Sequence, residues 1–191
     1  MARLDRAIPP AHVHAPNKSD QLMPTDNDSL GQISGDTVRF VRVLPAPAAL
    51  VWDYLTNSQL LPEWLGNGEI TLEIGGRIEL RSGGPVIRGK VLACEPLRLL
   101  TYTWLPIIPG EETPMAAEST LSFVLEARGD GTQLVLIQAP IAPEYVSRSA
   151  AGWHGLLDLL AAQIAGEPPP DFVDTFHRVL PEYERLAADV S

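Results

Sequence analysis

A run of short amphipathic segments, followed by one long helix with a single apolar face, restricts what this chain can fold into. Ile70, Leu72 and Ile74 alternate with polar residues, which is the period of a half-buried strand. Gly75-Gly76 then provides a tight hairpin turn. Because such segments follow one another with no helical period between them, the pattern predicts an antiparallel meander.

Seven strands and two short helices are predicted before the long helix. The short helices, residues 48–56 and 58–64, follow the first strand, and the proline-rich residues 105–116 are predicted to form a loop. Strand twist curls a meander of this length, so the long helix can bury its apolar face only in the concave surface of the sheet. The fold class is therefore α+β. The predicted strands are residues 37–44, 69–74, 77–81, 86–94, 97–104, 118–127 and 132–138.

The chain divides into three predicted parts. Residues 1–36 contain four prolines and no regular period, which predicts a mobile tail. Residues 37–166 form the domain, and Gly166 ends its long helix. Residues 167–191 form a C-terminal helical extension that Pro181 is expected to kink or split. Its aromatic residues Phe172, Phe176 and Tyr183 either seal an edge of the domain or dock on a second chain.

Composition excludes several classes of function. A net charge of -10 is unfavourable for binding nucleic acid, and with only two lysines, Lys18 and Lys90, no polybasic membrane patch exists. No run approaches the roughly 18 apolar residues of a membrane span. A single cysteine and the lack of a signal peptide indicate a soluble cytoplasmic protein. No phosphate-binding loop or cluster of metal ligands occurs, so no cofactor is predicted; a homodimer is left open.

A series of short motifs runs in order through residues 38–164. They are Pro47-x4-Trp52-x2-Leu55-Thr56, Leu60-Leu61-Pro62-Glu63-Trp64-Leu65-Gly66, Gly75-Gly76-Arg77, Gly89-Lys90-Val91, Leu100-Thr101-Tyr102-Thr103-Trp104, Glu118-Ser119-Thr120-Leu121-Ser122-Phe123, Gly129-Asp130-Gly131-Thr132 and Gly152-Trp153-x2-Leu156-Leu157. In order and spacing they resemble the bacterial homologues of the activator of heat-shock protein 90 ATPase, in the START-like (SRPBCC) superfamily. The resemblance implies a helix-grip fold with a hydrophobic tunnel between the sheet and the long helix.

Seven apolar residues are the candidates for contact with a ligand in that tunnel. Trp153, Leu157 and Leu160 recur at helical spacing and are placed against the sheet. The strand candidates are Tyr102, Trp104, Leu121 and Phe123. The alternative for each of the seven is an ordinary packing role in the hydrophobic core. The segment 105–114 is a candidate gate, because strand pairing is expected to lapse there.

One ionisable pair is a candidate for chemistry. His154 and Asp158 are four residues apart on the long helix and could form a general base, although their position beside the apolar stripe favours a solvated surface pair. The leading hypothesis is therefore a binding protein for a small hydrophobic or amphipathic molecule, such as a lipid, an aromatic metabolite or a polyketide-like compound. The alternatives are a cyclase-like or hydrolase-like enzyme that uses polar groups of the cavity, and an accessory protein in a stress or chaperone context.

Overall fold

Eight strands form one antiparallel sheet in the computed structural model, which describes residues 30–81, 84–111 and 114–189. The strands are β1 (Gln32–Ser34), β2 (Thr37–Leu44), β3 (Asn67–Ile70), β4 (Arg77–Arg81), β5 (Val86–Glu95), β6 (Leu99–Ile107), β7 (Ser119–Arg128) and β8 (Gly131–Ala139), and the helices are α1 (Ala48–Thr56), α2 (Pro143–Ala165) and α3 (Phe172–Asp189). The strand order is β1-β2-β8-β7-β6-β5-β4-β3, so the second strand pairs with the last one.

The inner face of the sheet carries a continuous apolar row against which α2 packs. Strand register places Phe40, Leu136, Phe123 and Leu100 side by side across β2, β8, β7 and β6, and all four are buried. The ring of Trp153 on α2 meets this row edge-on, with its centroid 6.2 Å from that of Phe123. The α+β class and the helix-grip fold are therefore confirmed.

The helix after β2 has the predicted bounds and the predicted buried face. Val51, Trp52 and Leu55 of α1 are buried, and α1 packs on β7, β8 and α2. The second predicted helix is shorter, a single 3-10 turn at Leu61–Glu63. Trp64, which follows it, donates a hydrogen bond from Nε1 to the carbonyl oxygen of Tyr54 at 2.8 Å and so ties this turn to α1.

The predicted strand 69–74 is wrong beyond Ile70. Leu72 and Ile74 are 43% and 79% exposed, although their alternation indicated a buried face. Local turn bonds replace the strand ladder here: Glu73 N donates to Thr71 O and Gly76 N donates to Glu73 O, both at 2.8 Å. A Cβ atom at Gly76 would lie 2.1 Å from Thr71 O, so the turn requires glycine.

The predicted loop 105–116 is also corrected, because β6 continues through Ile107. β5 provides the partner, with Arg88 opposite Leu105 and Val86 opposite Ile107. Pairing with β7 stops earlier, at Trp104 and Ser119, and beyond that point an isolated bridge continues on this side of β6, with Ile107 opposite Pro114 and Met115 N donating to Pro106 O at 2.9 Å. Pro106 therefore lies at the frayed end of the ladder and accepts a hydrogen bond there, although it has no N–H to donate. A proline is tolerated in a strand at such a site.

The boundary at residue 36 needs a correction as well. Gln32–Ser34, assigned by sequence to the mobile tail, form β1 and pair with β2 through Gln32 opposite Arg39. Three residues give too short a pattern to be recognised as a strand. The rest of the predicted tail, residues 1–29, lies outside the described residues.

The C-terminal segment is one helix, α3, which continues through Pro181 without being split. α3 packs on α2 and on β1, and it buries Val179 and Tyr183. Phe172 contacts Gly155 of α2 so closely that a Cβ atom there would lie 2.9 Å from Phe172 Cδ2. These contacts favour the sealing role of the extension. Over the described part of the chain, none of the helices combines the length and the hydrophobicity that crossing a bilayer requires.

Candidate functional site

A cavity of about 350 Å³ lies where β6 ends, β7 begins and β8 leads into α2. This volume is at the lower end of the range for small-molecule sites, roughly 300–1,000 Å³. Most of its wall is apolar. The wall comes from six elements (β5, β6, β7, β8, α2 and α3) and from the segments before β5, β7 and α2. The lining residues are Pro85, Ile87, Trp104, Pro106, Met115, Ala116, Ala117, Ser119, Gln138, Pro140, Ile141, Ala142, Tyr145, Arg148, Ser149 and Phe176.

A hydrogen-bonded glutamine forms the polar part of the cavity wall. Gln138 Oε1 accepts from Trp153 Nε1 at 2.6 Å and from Ser149 Oγ at 3.4 Å. Gln138 Nε2 donates one hydrogen to Ser119 Oγ at 2.8 Å. These bonds fix the orientation of the amide, and within the described residues the second Nε2 hydrogen has no acceptor. A donor is therefore held rigidly beside an apolar space.

Trp104 provides the aromatic face of the cavity. Its side chain is half-buried, and its ring lies 5.2 Å from the ring of Trp153 and 6.4 Å from that of Tyr102. The Tyr102 contact is near-parallel, at 28°. Two fixed aromatic neighbours hold the Trp104 ring in place, and it therefore presents a preformed flat surface to the cavity.

Of the seven predicted ligand contacts, only Trp104 lines this cavity. Trp153 lies behind its wall, and the remaining five are almost fully buried in the core, namely Leu157, Leu160, Tyr102, Leu121 and Phe123. Their proposed role in ligand binding stays a prediction. The space opens instead at the first turns of α2, where the helix separates from the end of the sheet.

Sequence reasoning missed most of the lining residues, although one signal was available. Pro106 and Met115 belong to the proline-rich segment 105–116, and both line the cavity. Pro140 marks the other side, between β8 and α2. The prolines of these two segments therefore indicated the region. They did not identify Tyr145, which comes from a helix, or Phe176, which comes from the extension.

Tyr102 carries a buried hydroxyl with no hydrogen-bond partner among the described residues. Its side chain is fully buried, and this burial raises the pKa of Tyr102 above the ordinary tyrosine value. The hydroxyl is therefore protonated at neutral pH. A buried hydroxyl without a partner is uncommon in folded proteins.

The predicted solvated surface pair, His154 and Asp158, is instead part of a buried network. His154 is 2% exposed, and its Nδ1 lies 2.9 Å from the hydroxyl oxygen of Tyr183. Its Nε2 lies 3.5 Å from Asp158 Oδ2, and Asp158 Oδ1 lies 3.9 Å from Nη2 of the buried Arg42. The surface expectation fails because α3 covers this side of α2.

The Tyr183 hydroxyl links His154 to the segment before β1. Gly31 N–H donates to the Tyr183 oxygen at 2.7 Å, and the same oxygen lies 2.9 Å from His154 Nδ1. The network joins the residue before β1 to β2, α2 and α3. Neither His154 nor Asp158 is among the residues that line the cavity.

Replacing Tyr183 by phenylalanine is expected to flatten the loss of stability in alkali. Burial raises the pKa of Tyr183 to about 12 from an ordinary value near 10, although the Gly31 hydrogen bond acts in the opposite direction. The unfolded chain therefore releases this proton first, so the stabilisation is complete below pH 10 and is lost as pH rises towards 12. Urea unfolding from pH 9 to pH 12 should show a steeper decline for the wild type than for Y183F. Parallel declines would contradict this assignment.

A long helix packed on the inner face of an antiparallel sheet, with an apolar cavity beside its first turns, defines a helix-grip protein of the START-like type. Residues 45–165 match the family model described as activator of Hsp90 ATPase homolog 1-like protein, and the chain belongs to this family. The predicted family is therefore confirmed.

Solved structures show the same fold. The chain is 26% identical to CalU16 from Micromonospora echinospora, with 79% of this chain and 88% of that one covered and a TM-score of 0.65. The protein encoded by gene BPP1335 from Bordetella parapertussis is 29% identical, with 80% and 86% covered and a TM-score of 0.63. DynU16, from the dynemicin biosynthetic locus, is 23% identical, with 72% and 50% covered and a TM-score of 0.61. Among curated proteins no significant match occurs.

Proposed function

We propose that the protein binds a small hydrophobic or amphipathic molecule in the cavity beside the first turns of α2. The observation that carries this proposal is an apolar space of about 350 Å³ with a fixed aromatic face and a rigid amide donor. Burial of apolar ligand surface contributes roughly 25 cal/mol per Å², from which the cost of association is subtracted. Dissociation constants in the micromolar range or weaker are the expected consequence.

The lining residues support binding rather than general-base catalysis. Among the described residues that line the cavity, no aspartate, glutamate or histidine occurs, and the ionisable side chains are Tyr145 and Arg148. His154 and Asp158, the candidate base, instead hold α3 in place. The accessory-protein alternative needs exposed aromatic residues on the extension, whereas Tyr183 is buried and Phe176 lines the cavity.

The proposed setting is the cytoplasm, which the single cysteine favours. The proposed binding unit is residues 37–166 together with the extension, since Phe176 of α3 completes the cavity wall.

Filling the cavity should remove ligand binding. Ala116 is a half-buried lining residue in the segment before β7, and Trp at this position would occupy space that a ligand needs. We expect A116W to weaken binding of the neutral fluorophore N-phenyl-1-naphthylamine at least about tenfold, because loss of an apolar contact area of ligand size exceeds 1.4 kcal/mol. Titration of the fluorophore emission, excited above the tryptophan band, measures this.

The matched control is A127W, which adds the same side chain at an exposed position at the end of β7, away from the cavity. It should bind the fluorophore as the wild type does. Equal binding by A116W, A127W and the wild type would show that the fluorophore lies elsewhere, and no binding to the wild type would remove the proposal.

A further inference from the structure

We infer that the ligand of this cavity is an aromatic amphiphile with an anionic group, which Arg148 meets at the rim. The inference rests on the proposed function and names the chemical class that this same site takes. Three features of the described residues support it: the charge of the lining, the direction of its hydrogen-bonding groups and the shape of its apolar part.

The charge of the lining is opposite to that of the protein. The chain has 24 acidic and 14 basic residues, yet the cavity is lined by one charged side chain among the described residues, and that side chain is the cation Arg148. Arg148 is exposed and, within the described part of the chain, forms no salt bridge, including none with Glu144 one turn earlier. An unpaired guanidinium at the edge of an apolar space attracts an anion there.

Hydrogen-bonding groups of the lining also favour acceptors on the ligand. Tyr145, Arg148 and Ser149 are spaced three and four residues apart, so they lie on one side of α2, and all three line the cavity. The Ser149 hydroxyl donates to Gln138, while Gln138 Nε2 retains one hydrogen for a ligand. Arg148 and Gln138 therefore both offer donors, and the matching ligand group is rich in oxygen acceptors.

The apolar part of the cavity favours a flat ring system. Trp104 presents an aromatic surface that Trp153 and Tyr102 hold in place, and Phe176 lies on the α3 side of the same space. Aromatic rings gain from offset stacking and edge contacts with such a surface beyond their buried area. A planar aryl body with an acidic substituent matches both the apolar aromatic wall and the charge of Arg148, whereas a neutral alkane matches only the apolar wall.

Two fluorophores that differ by one anionic group test the inference. 8-Anilinonaphthalene-1-sulfonate has the aryl skeleton of N-phenyl-1-naphthylamine with an added sulfonate. We expect the wild type to bind the sulfonate about three- to fivefold more tightly than the neutral compound, a modest factor because Arg148 is exposed to water. R148Q should remove this difference, so that the two compounds bind with the same affinity. R148K should retain most of the difference.

Controls separate this inference from the proposed function. R81Q makes the same change at an exposed arginine of β4 and should keep the wild-type preference. Only the fluorescence that is lost in A116W is counted as binding in the cavity, so the sulfonate compound bound at other sites does not contribute. If the neutral compound binds and R148Q leaves the preference intact, or the wild type has none, the anionic class is overturned and the proposed function stands. If neither compound binds in the cavity, both are overturned.

Discussion

Replacement of Asp158 by alanine is expected to lower the free energy of unfolding by about 3 kcal/mol, because it removes the carboxylate beside a buried guanidinium. Arg42 is 1% exposed and lies on the inner face of β2, with its Nη2 3.9 Å from Asp158 Oδ1. Alanine leaves the positive charge in the interior without this carboxylate. It also removes the carboxylate oxygen that lies 3.5 Å from His154 Nε2.

Urea unfolding of D158A at neutral pH measures this effect, and an exposed ion pair provides the control. Glu95 and Arg98 have side chains 50% and 65% exposed, so E95A should change the free energy of unfolding by less than about 1 kcal/mol. The double variant of Arg42→Met with Asp158→Leu removes both charges and should recover much of the loss. Equal effects of D158A and E95A would mean that burial of Arg42 does not depend on Asp158.

Replacement of Trp153 by alanine is expected to cost about 3–5 kcal/mol of folding free energy. The ring is 3% exposed and contacts Trp104 and Phe123, and its Nε1 donates to Gln138 at 2.6 Å. Truncation leaves a large void between α2 and the sheet and an amide oxygen with one donor fewer. Thermal and urea unfolding of W153A measure the loss.

A comparison with Trp104 separates a core role from a ligand-contact role for these two tryptophans. Trp104 is only half-buried and lines the cavity, so W104A should lose less stability than W153A but more affinity for the neutral fluorophore. W153F keeps an aromatic ring, loses the bond to Gln138 and should cost about 1–2 kcal/mol while fluorophore binding persists. Loss of binding in W153F at unchanged stability would assign Trp153 to the ligand instead.

Patterns that depend on neighbours along the chain predicted their elements well. The alternation in residues 37–44 and the apolar face of residues 48–56 gave the observed bounds of β2 and α1. Both elements bury one face and expose the other, and such a division is visible in the order of residues alone. The resemblance of the ordered motifs then identified the family, which the match over residues 45–165 confirms.

Elements that depend on a partner strand were less accessible. Leu105, Pro106 and Ile107 extend β6 because β5 lies beside them, and proline composition alone indicated a loop. β1 exists because β2 offers a free edge to Gln32–Ser34. In residues 71–76 the opposite occurs, since local turn bonds remove an alternating segment from the sheet.

By itself, the sequence determined the α+β class, the family, the long helix with its apolar face and the acidic, lysine-poor character of the chain, because these depend on composition and short-range order. Only the tertiary structure decided that His154 is buried and where the cavity lies. Packing of α3 on α2 buries His154 beneath Tyr183, and the separation of α2 from the end of the sheet leaves the space that Trp104 and Arg148 share. Both outcomes arise where distant segments meet, and no local pattern encodes such a meeting.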